Sequence, residues 1–165
     1  AEGVEIEQHL DFLREQGYAP LIVEQESTGE AREIGKMHAD VAILTHAQGQ
    51  RVALVSGGEL TVTVTGNGAG GPNQEYALAL GGAIGGRAGI AALAADTDGV
   101  DGSRDVAGAY VDGETAVALA DADVDIGEAL SRNDAGGALG EIGALFVPGP
   151  TMTNVNDLRI ILVDP

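Results

Sequence analysis

The chain has 165 residues, with 8 basic and 26 acidic side chains and a formal net charge of −18. That length suits one domain with a buried core. The acidic excess argues against a nucleic-acid backbone or an anionic membrane surface as partner. Cysteine is absent, which excludes disulfides, thiolate nucleophiles and Cys-ligated metals. No N-terminal signal pattern is visible, so a cytoplasmic location is expected. The pI near 4.1 and the single lysine, Lys36, suit a halophilic protein. At ~1 M salt the Debye length falls to roughly 3 Å, which screens repulsion among surface carboxylates.

Residues 4–16 place Val4, Ile6, Leu10 and Leu13 on one helical side, and Gly17 stops that helix. Residues 20–24, PLIVE, read as a short strand. A second helix starts after Ser27 or Thr28 and runs to about Gln48, with Glu30 and Glu33 in its early turns, where they suit the helix dipole. Residues 51–56, RVALVS, form a continuous apolar run, as in a strand buried on both faces. Gly57 and Gly58 turn the chain, and residues 59–65, ELTVTVT, alternate like a half-exposed strand. The loop GNGAGG at 66–71 precedes a helix over 73–84. Residues 90–95 predict a buried strand that runs into DTDGVDG at 96–102. Helices at 113–121 and 126–140, a short strand at 144–147, the loop PGPTMTNVND and a last strand at 158–163 follow. Residues 76–95 are weakly polar, but Arg87 and three nearby glycines favour a helix, a turn and a strand over a membrane span. The alternation predicts an α/β fold: a three-layer α/β/α domain with a mixed, mostly parallel sheet.

In open α/β sheets, ligand loops gather beyond the carboxyl ends of strands. Three loops here qualify. Gly57-Gly58-Glu59 with GNGAGGPNQE offers backbone amides for a phosphate or carboxylate, or else a tight glycine turn with Asn73 as a helix cap. Asp96, Asp98 and Asp101 repel one another unless they are solvated, hydrogen-bonded or bound to a cation, and such hard oxygens suit Mg²⁺. Thr151, Thr153, Asn154, Asn156 and Asp157 offer hydrogen bonds to a hydroxy acid or phosphate, or close their own loop. His9, His38 and His46 fall on helices away from these loops and read as solvated. Tyr18, Tyr76 and Tyr110 read as core-edge residues.

Several pieces then follow in a fixed order. They are Gly57-Gly58-Glu59 with Thr61-Val62, Gly70-Gly71 with Asn73-Gln74-Glu75, and Asp96-Thr97-Asp98-Gly99 with Asp101-Gly102. Next come Ala107-Gly108-Ala109 with Val111-Asp112, then Asn133-Asp134, then Gly149-Pro150-Thr151 with Thr153-Asn154-Val155-Asn156-Asp157. Gly29-Glu30-Ala31-Arg32 stands upstream. The set resembles the C-terminal domain of the glycerate 2-kinase family, often called MOFRL, whose members are frequently labelled hydroxypyruvate reductase.

The resemblance implies that residues 1–165 are one C-terminal domain of a longer protein. A larger N-terminal α/β domain would be missing, and would supply a lysine and other groups. The two would close around ATP, Mg²⁺ and glycerate and phosphorylate D-glycerate to 2-phosphoglycerate. Asp96, Asp98 and Glu59 are then the expected catalytic residues, and Asp96, Asp98 and Asp101 the expected metal ligands. Gly57, Gly58, Gly70, Gly71, Asn73, Glu75, Thr151, Thr153, Asn154 and Asp157 are expected at the substrate. The isolated chain is expected to be inactive, and a homodimer is compatible with this reading.

Two alternatives stay open. One is an NAD(P)H-dependent hydroxypyruvate reductase, against which stands the lack of a Rossmann fingerprint. The other is a non-catalytic binding or interface domain. The family often has arginines in its glycine loop, as in GRGGRNQE, where this chain has Ala69 and Pro72. Such an arginine would grip a phosphate or carboxylate through a bidentate fork. Met152 also replaces a common glycine.

Overall fold

The structure is a computed structural model that describes residues 2–102 and 105–165. The elements run α1 (Glu2–Glu15), β1 (Ala19–Ser27), α2 (Ala31–Ala47), β2 (Val52–Gly58), α3 (Pro72–Ala83) and β3 (Ile90–Asp96). They continue with β4 (Gly108–Asp112), α4 (Thr115–Asp121), α5 (Ile126–Ser131), α6 (Ala135–Glu141), β5 (Leu145–Phe146) and β6 (Asp157–Val163). The strands form one sheet in the order β1-β2-β6-β3-β4-β5.

The α/β class and the mixed sheet are as expected, but the parallel share is small. Only β1 and β2 pair in parallel; the other four pairings are antiparallel. The cause is β6. It returns between β2 and β3, so these two strands, which point the same way, do not pair with each other.

Strand β2 is apolar on both faces because helices cover both, whereas β3 and β6 are covered fully on one face and at most in part on the other. On one face Val52, Leu54, Ala92, Ala94, Ile161 and Val163 meet the helices that follow β1. On the other, Leu10 and Leu13 of α1 pack on Ala53 and Val55, with Ile160 and Leu162 alongside. The small side chains let backbones approach closely. A Cβ on Gly35 of α2 would lie 2.5 Å from the Tyr76 carbonyl oxygen of α3.

Residues 76–95 form most of α3, a glycine turn and β3, as expected. No helix among the described residues is long and apolar enough to cross a membrane. Residues 59–65 depart from expectation. They make a single bridge, Thr61 to Glu30, instead of a strand. Backbone bonds hold the first half, from Glu59 N to Ser27 O and Thr61 N to Gly29 O, and side chains take over beyond it: Thr63 N donates to Glu30 and Thr65 N to Asn133. The helix expected over 126–140 is two helices, α5 and α6. They turn a corner at Asn133, whose φ is 55°. Asparagine tolerates that left-handed conformation. His38 is also not solvated; it is buried in α2 against α3.

Candidate functional site

The sheet directions bring the three loops together. The carboxyl ends of β2 and β3 and the amino end of β6 lie on one rim. In register, Ser56 faces Arg159, Ala94 faces Arg159, and Asp96 faces Asp157.

A buried polar network ties these ends to α3. Arg159, 1% exposed, donates from Nη1 to Asp157 Oδ2 at 2.9 Å and to Asn73 Oδ1 at 3.1 Å. Its Nη2 donates to the Gly57 carbonyl at 2.7 Å. Asn73 Nδ2 donates to Asp157 Oδ1 at 2.8 Å and to Asp101 Oδ1 at 3.2 Å. One guanidinium and one amide therefore hold residues from all three loops. Below them, the Arg159 guanidinium lies 5.5 Å from the Tyr76 ring centroid, and the Tyr76 hydroxyl meets His38 Nδ1 at 2.8 Å. Burial, then the Arg159 charge, lowers the His38 pKa and favours the neutral ring.

Asp101 caps α3. Its Oδ1 accepts from Asn73 N at 3.0 Å as well as from Nδ2, and its Oδ2 accepts from Gln74 N at 2.9 Å and Nε2 at 3.0 Å. A carboxylate at a helix N-terminus satisfies orphan amides and meets the helix dipole. Burial pushes this carboxyl up, while the four donors pull it back down. The cap therefore comes from a distant loop. Asn73 lies inside the helix, which begins at Pro72 with Gly71 as its N-cap. Gly71 packs so tightly on the Asp101 backbone that a Cβ there would collide with it.

The glycine loop is stitched down by the α5–α6 corner. Thr65 N and Gly66 N donate to Asn133 Oδ1 at 2.7 and 2.8 Å. Gly68 N donates to Arg132 O at 2.9 Å, and Ala69 N to Asp134 Oδ1 at 2.9 Å. Those amides serve the loop's own structure; the Gly70 and Gly71 amides have no acceptor among the described residues. Glu75 turns the same way. It is buried, takes two hydrogen bonds from Arg32 at 2.9 and 3.2 Å, and accepts from Asn133 at 3.3 Å.

The last loop folds onto the aspartate loop. Thr97 Oγ1 donates to Asn156 O at 2.7 Å and accepts from Val155 N at 2.9 Å; Thr151 Oγ1 donates to Thr97 O. Thr153 and Asn154 are exposed at its tip. Met152 adopts φ 57°, in the left-handed region that a glycine would occupy without strain.

The MOFRL family model matches residues 52–157. The chain belongs to the MOFRL family. A D-glycerate 2-kinase of Thermotoga maritima is 42% identical, over 92% of this chain and 37% of that protein. An Agrobacterium vitis relative that carries the hydroxypyruvate reductase name is 41% identical, over 99% of this chain and 39% of its own length. Among solved structures, a glycerate kinase of Thermotoga maritima superposes with a TM-score of 0.91 at 41% identity, covering 93% of this chain and 38% of that one. A protein of Pyrococcus horikoshii OT3 does so at 0.94 and 34% identity, covering 99% and 38%. The MOFRL chain thus spans about two fifths of the length of the curated relatives it matches.

What the MOFRL rim leaves free is Asp96, Asp98 and Glu59. Asp96 and Asp98 are half-buried, and each spends one oxygen on a local turn: Asp98 N donates to Asp96 Oδ1 at 3.0 Å, and Val100 N to Asp98 Oδ1 at 2.8 Å. The two carboxyls lie within hydrogen-bond reach of each other, and no further side-chain or backbone donor reaches them among the described residues. Glu59 is exposed just after β2, where its N–H donates to the Ser27 carbonyl. Among the described residues, no group of three acidic or histidine side chains is arranged to hold a metal. Burial, with the neighbouring Asp98 and Asp157, pushes the Asp96 carboxyl up to about 6.

That shift has a sign. A carboxyl whose pKa is raised on folding favours the fold while protonated, and this contribution is lost as pH rises from about 4 through about 6. Asp96→Asn is therefore expected to stabilise the MOFRL domain at pH 8 by about 1 kcal/mol, discounted for partial exposure, and by less at pH 5. Urea unfolding at the two pH values checks this; a gain that does not grow with pH would contradict it.

Sequence reasoning missed Arg159. The signal was a single arginine in DLRIILV, two residues after Asp157 and therefore on the same strand face. An arginine on a core-facing position needs a carboxylate partner, and Asp157 supplies it.

Proposed function

We propose that this MOFRL chain is the C-terminal domain of a glycerate 2-kinase, which transfers the γ-phosphoryl group of ATP to the 2-hydroxyl of D-glycerate. The observation that carries the reading is the meeting of three loops at one rim, with the carboxylates of Asp96 and Asp98 only half used. The identity to a D-glycerate 2-kinase supports it.

Phosphoryl transfer depends chiefly on positioning and electrostatics. The 2-hydroxyl oxygen bonds to the γ-phosphorus, the bond to the ADP oxygen breaks, and the hydroxyl proton leaves. Magnesium is usually held by one or two carboxylates together with substrate phosphates and water. The free oxygens of Asp96 and Asp98 fit that donor set, and Asp101, committed to α3, is not needed for it. When bound, the ion would neutralise phosphate charge. Glu59 would orient the substrate at the mouth of the site. The backbone amides of Gly70 and Gly71, with Thr151, Thr153 and Asn154, would bind its oxygens. Gly57, Gly58, Asn73, Glu75 and Asp157 would hold the site's shape. Ala69 and Pro72 supply no charge, so the cations that face the phosphates would come from the rest of the longer protein.

The full-length protein is expected to consume ATP with D-glycerate and to yield 2-phosphoglycerate, identified by phosphorus NMR. The 165-residue chain alone is expected to show no turnover, because half the cleft is missing. NADH oxidation with hydroxypyruvate would favour the reductase instead, and neither activity would favour a binding domain.

A further inference from the structure

The two faces of the sheet are covered unequally. Five helices, α2–α6, lie on one face, and α1 alone lies on the other. Helix α1 shields the part of its face formed by Ala53 and Val55 of β2. Beyond it, on β3 and β4, an apolar trough of about 630 Å³ lies open. Its floor is Ala91, Leu93, Tyr110, Ile160 and Leu162, and Phe12 of α1 forms its wall. These floor residues share a face, because Leu93 pairs with both Tyr110 and Ile160, and Ala91 with Leu162. Tyr110 is 49% exposed and Phe12 61%. Asp112 and Glu114 close one end.

We infer that this trough seats a helix from the part of the longer polypeptide that the present chain does not include. A sheet buries each apolar face against a layer of its own, and α1 supplies only part of one layer. The relatives carry some three fifths of their length outside the region matched here, which provides the material. A second copy of this chain fits poorly: the trough is concave, its end is acidic, and each copy carries a net charge of −18. The occupant is an amphipathic helix lying beside α1, with an apolar stripe on Leu93 and Tyr110 and a lysine or arginine against Asp112 and Glu114. This inference is independent of the reaction proposed above and stands or falls separately from it.

The test uses the full-length protein. Hydroxyl-radical footprinting is expected to find Phe12 and Tyr110 protected to the level of Tyr76, which is fully buried within the domain. Ala91→Lys, which on an open face would sit opposite Asp112 without a penalty, is expected to lower the melting temperature by about 5 °C or more. Protection that disappears on dilution would assign the face to a second copy and overturn the inference. Rapid oxidation of Phe12 and Tyr110, with no change in melting temperature for Ala91→Lys, would overturn it as well.

Discussion

Arg159→Met is expected to destabilise the domain by about 3–5 kcal/mol, as removal of one partner from a buried ion pair does. The side chain is fully enclosed and its partner Asp157 almost so. Methionine would fill the stem's volume but leave the Asp157 carboxylate, the Asn73 amide oxygen and the Gly57 carbonyl without their donor. Arg14→Met makes the contrast. Its pair with Asp11 is exposed on α1, and the expected loss is within about 0.5 kcal/mol. The double change Arg159→Met with Asp157→Leu should recover much of the deficit, because it removes the stranded charge along with its partner. Urea unfolding of the three variants measures this, and a loss below about 1 kcal/mol for Arg159→Met would contradict the network's role.

Asp101→Ala is the second large effect. It strips a side-chain cap, which costs about 1 kcal/mol, and strands buried donors at about 1–3 kcal/mol each where water does not replace the carboxylate. The expected total is about 2–4 kcal/mol. The damage falls on α3, which is buried from Asn73 through Gly81 and forms the centre of the helical layer. Asp101→Asn keeps an acceptor and should lose less. Hydrogen exchange at the Asn73 and Gln74 amides localises the effect; unchanged exchange in Asp101→Ala would contradict the capping role.

The strands most legible in the sequence were the central ones. Residues 51–56, 90–95 and 158–163 are apolar runs because helices cover both sides of β2 and one side of β3 and β6, whose other side stays apolar where it floors the trough. Strand β4 is short, begins at a glycine and has an exposed tyrosine, so its periodicity carries little signal. Residues 59–65 show the opposite failure. Their alternation is real, but a strand needs a neighbouring backbone along its length; residues 27–31 supply one only as far as Thr61, and side chains of Glu30 and Asn133 take its place beyond. Composition marked three loops that the fold brings to one rim, but could not divide their labour. Asp96, Asp98 and Asp101 look alike in sequence. Only the fold turns Asp101 inward to cap α3 and leaves the other two at the rim. Glu75 looked like a cleft residue until Arg32 and Asn133 closed around it.

The most direct measurement is kcat for D-glycerate phosphorylation by the full-length protein carrying Asp98→Asn, with circular dichroism and melting temperature as controls for folding. Asp98 makes one local hydrogen bond to a backbone amide, and asparagine can keep it, so the fold should be retained. The expected kcat is at least ~100-fold lower, the scale of losing a group that stabilises charge in the transition state. A folded variant with kcat within about twofold of the parent would contradict it.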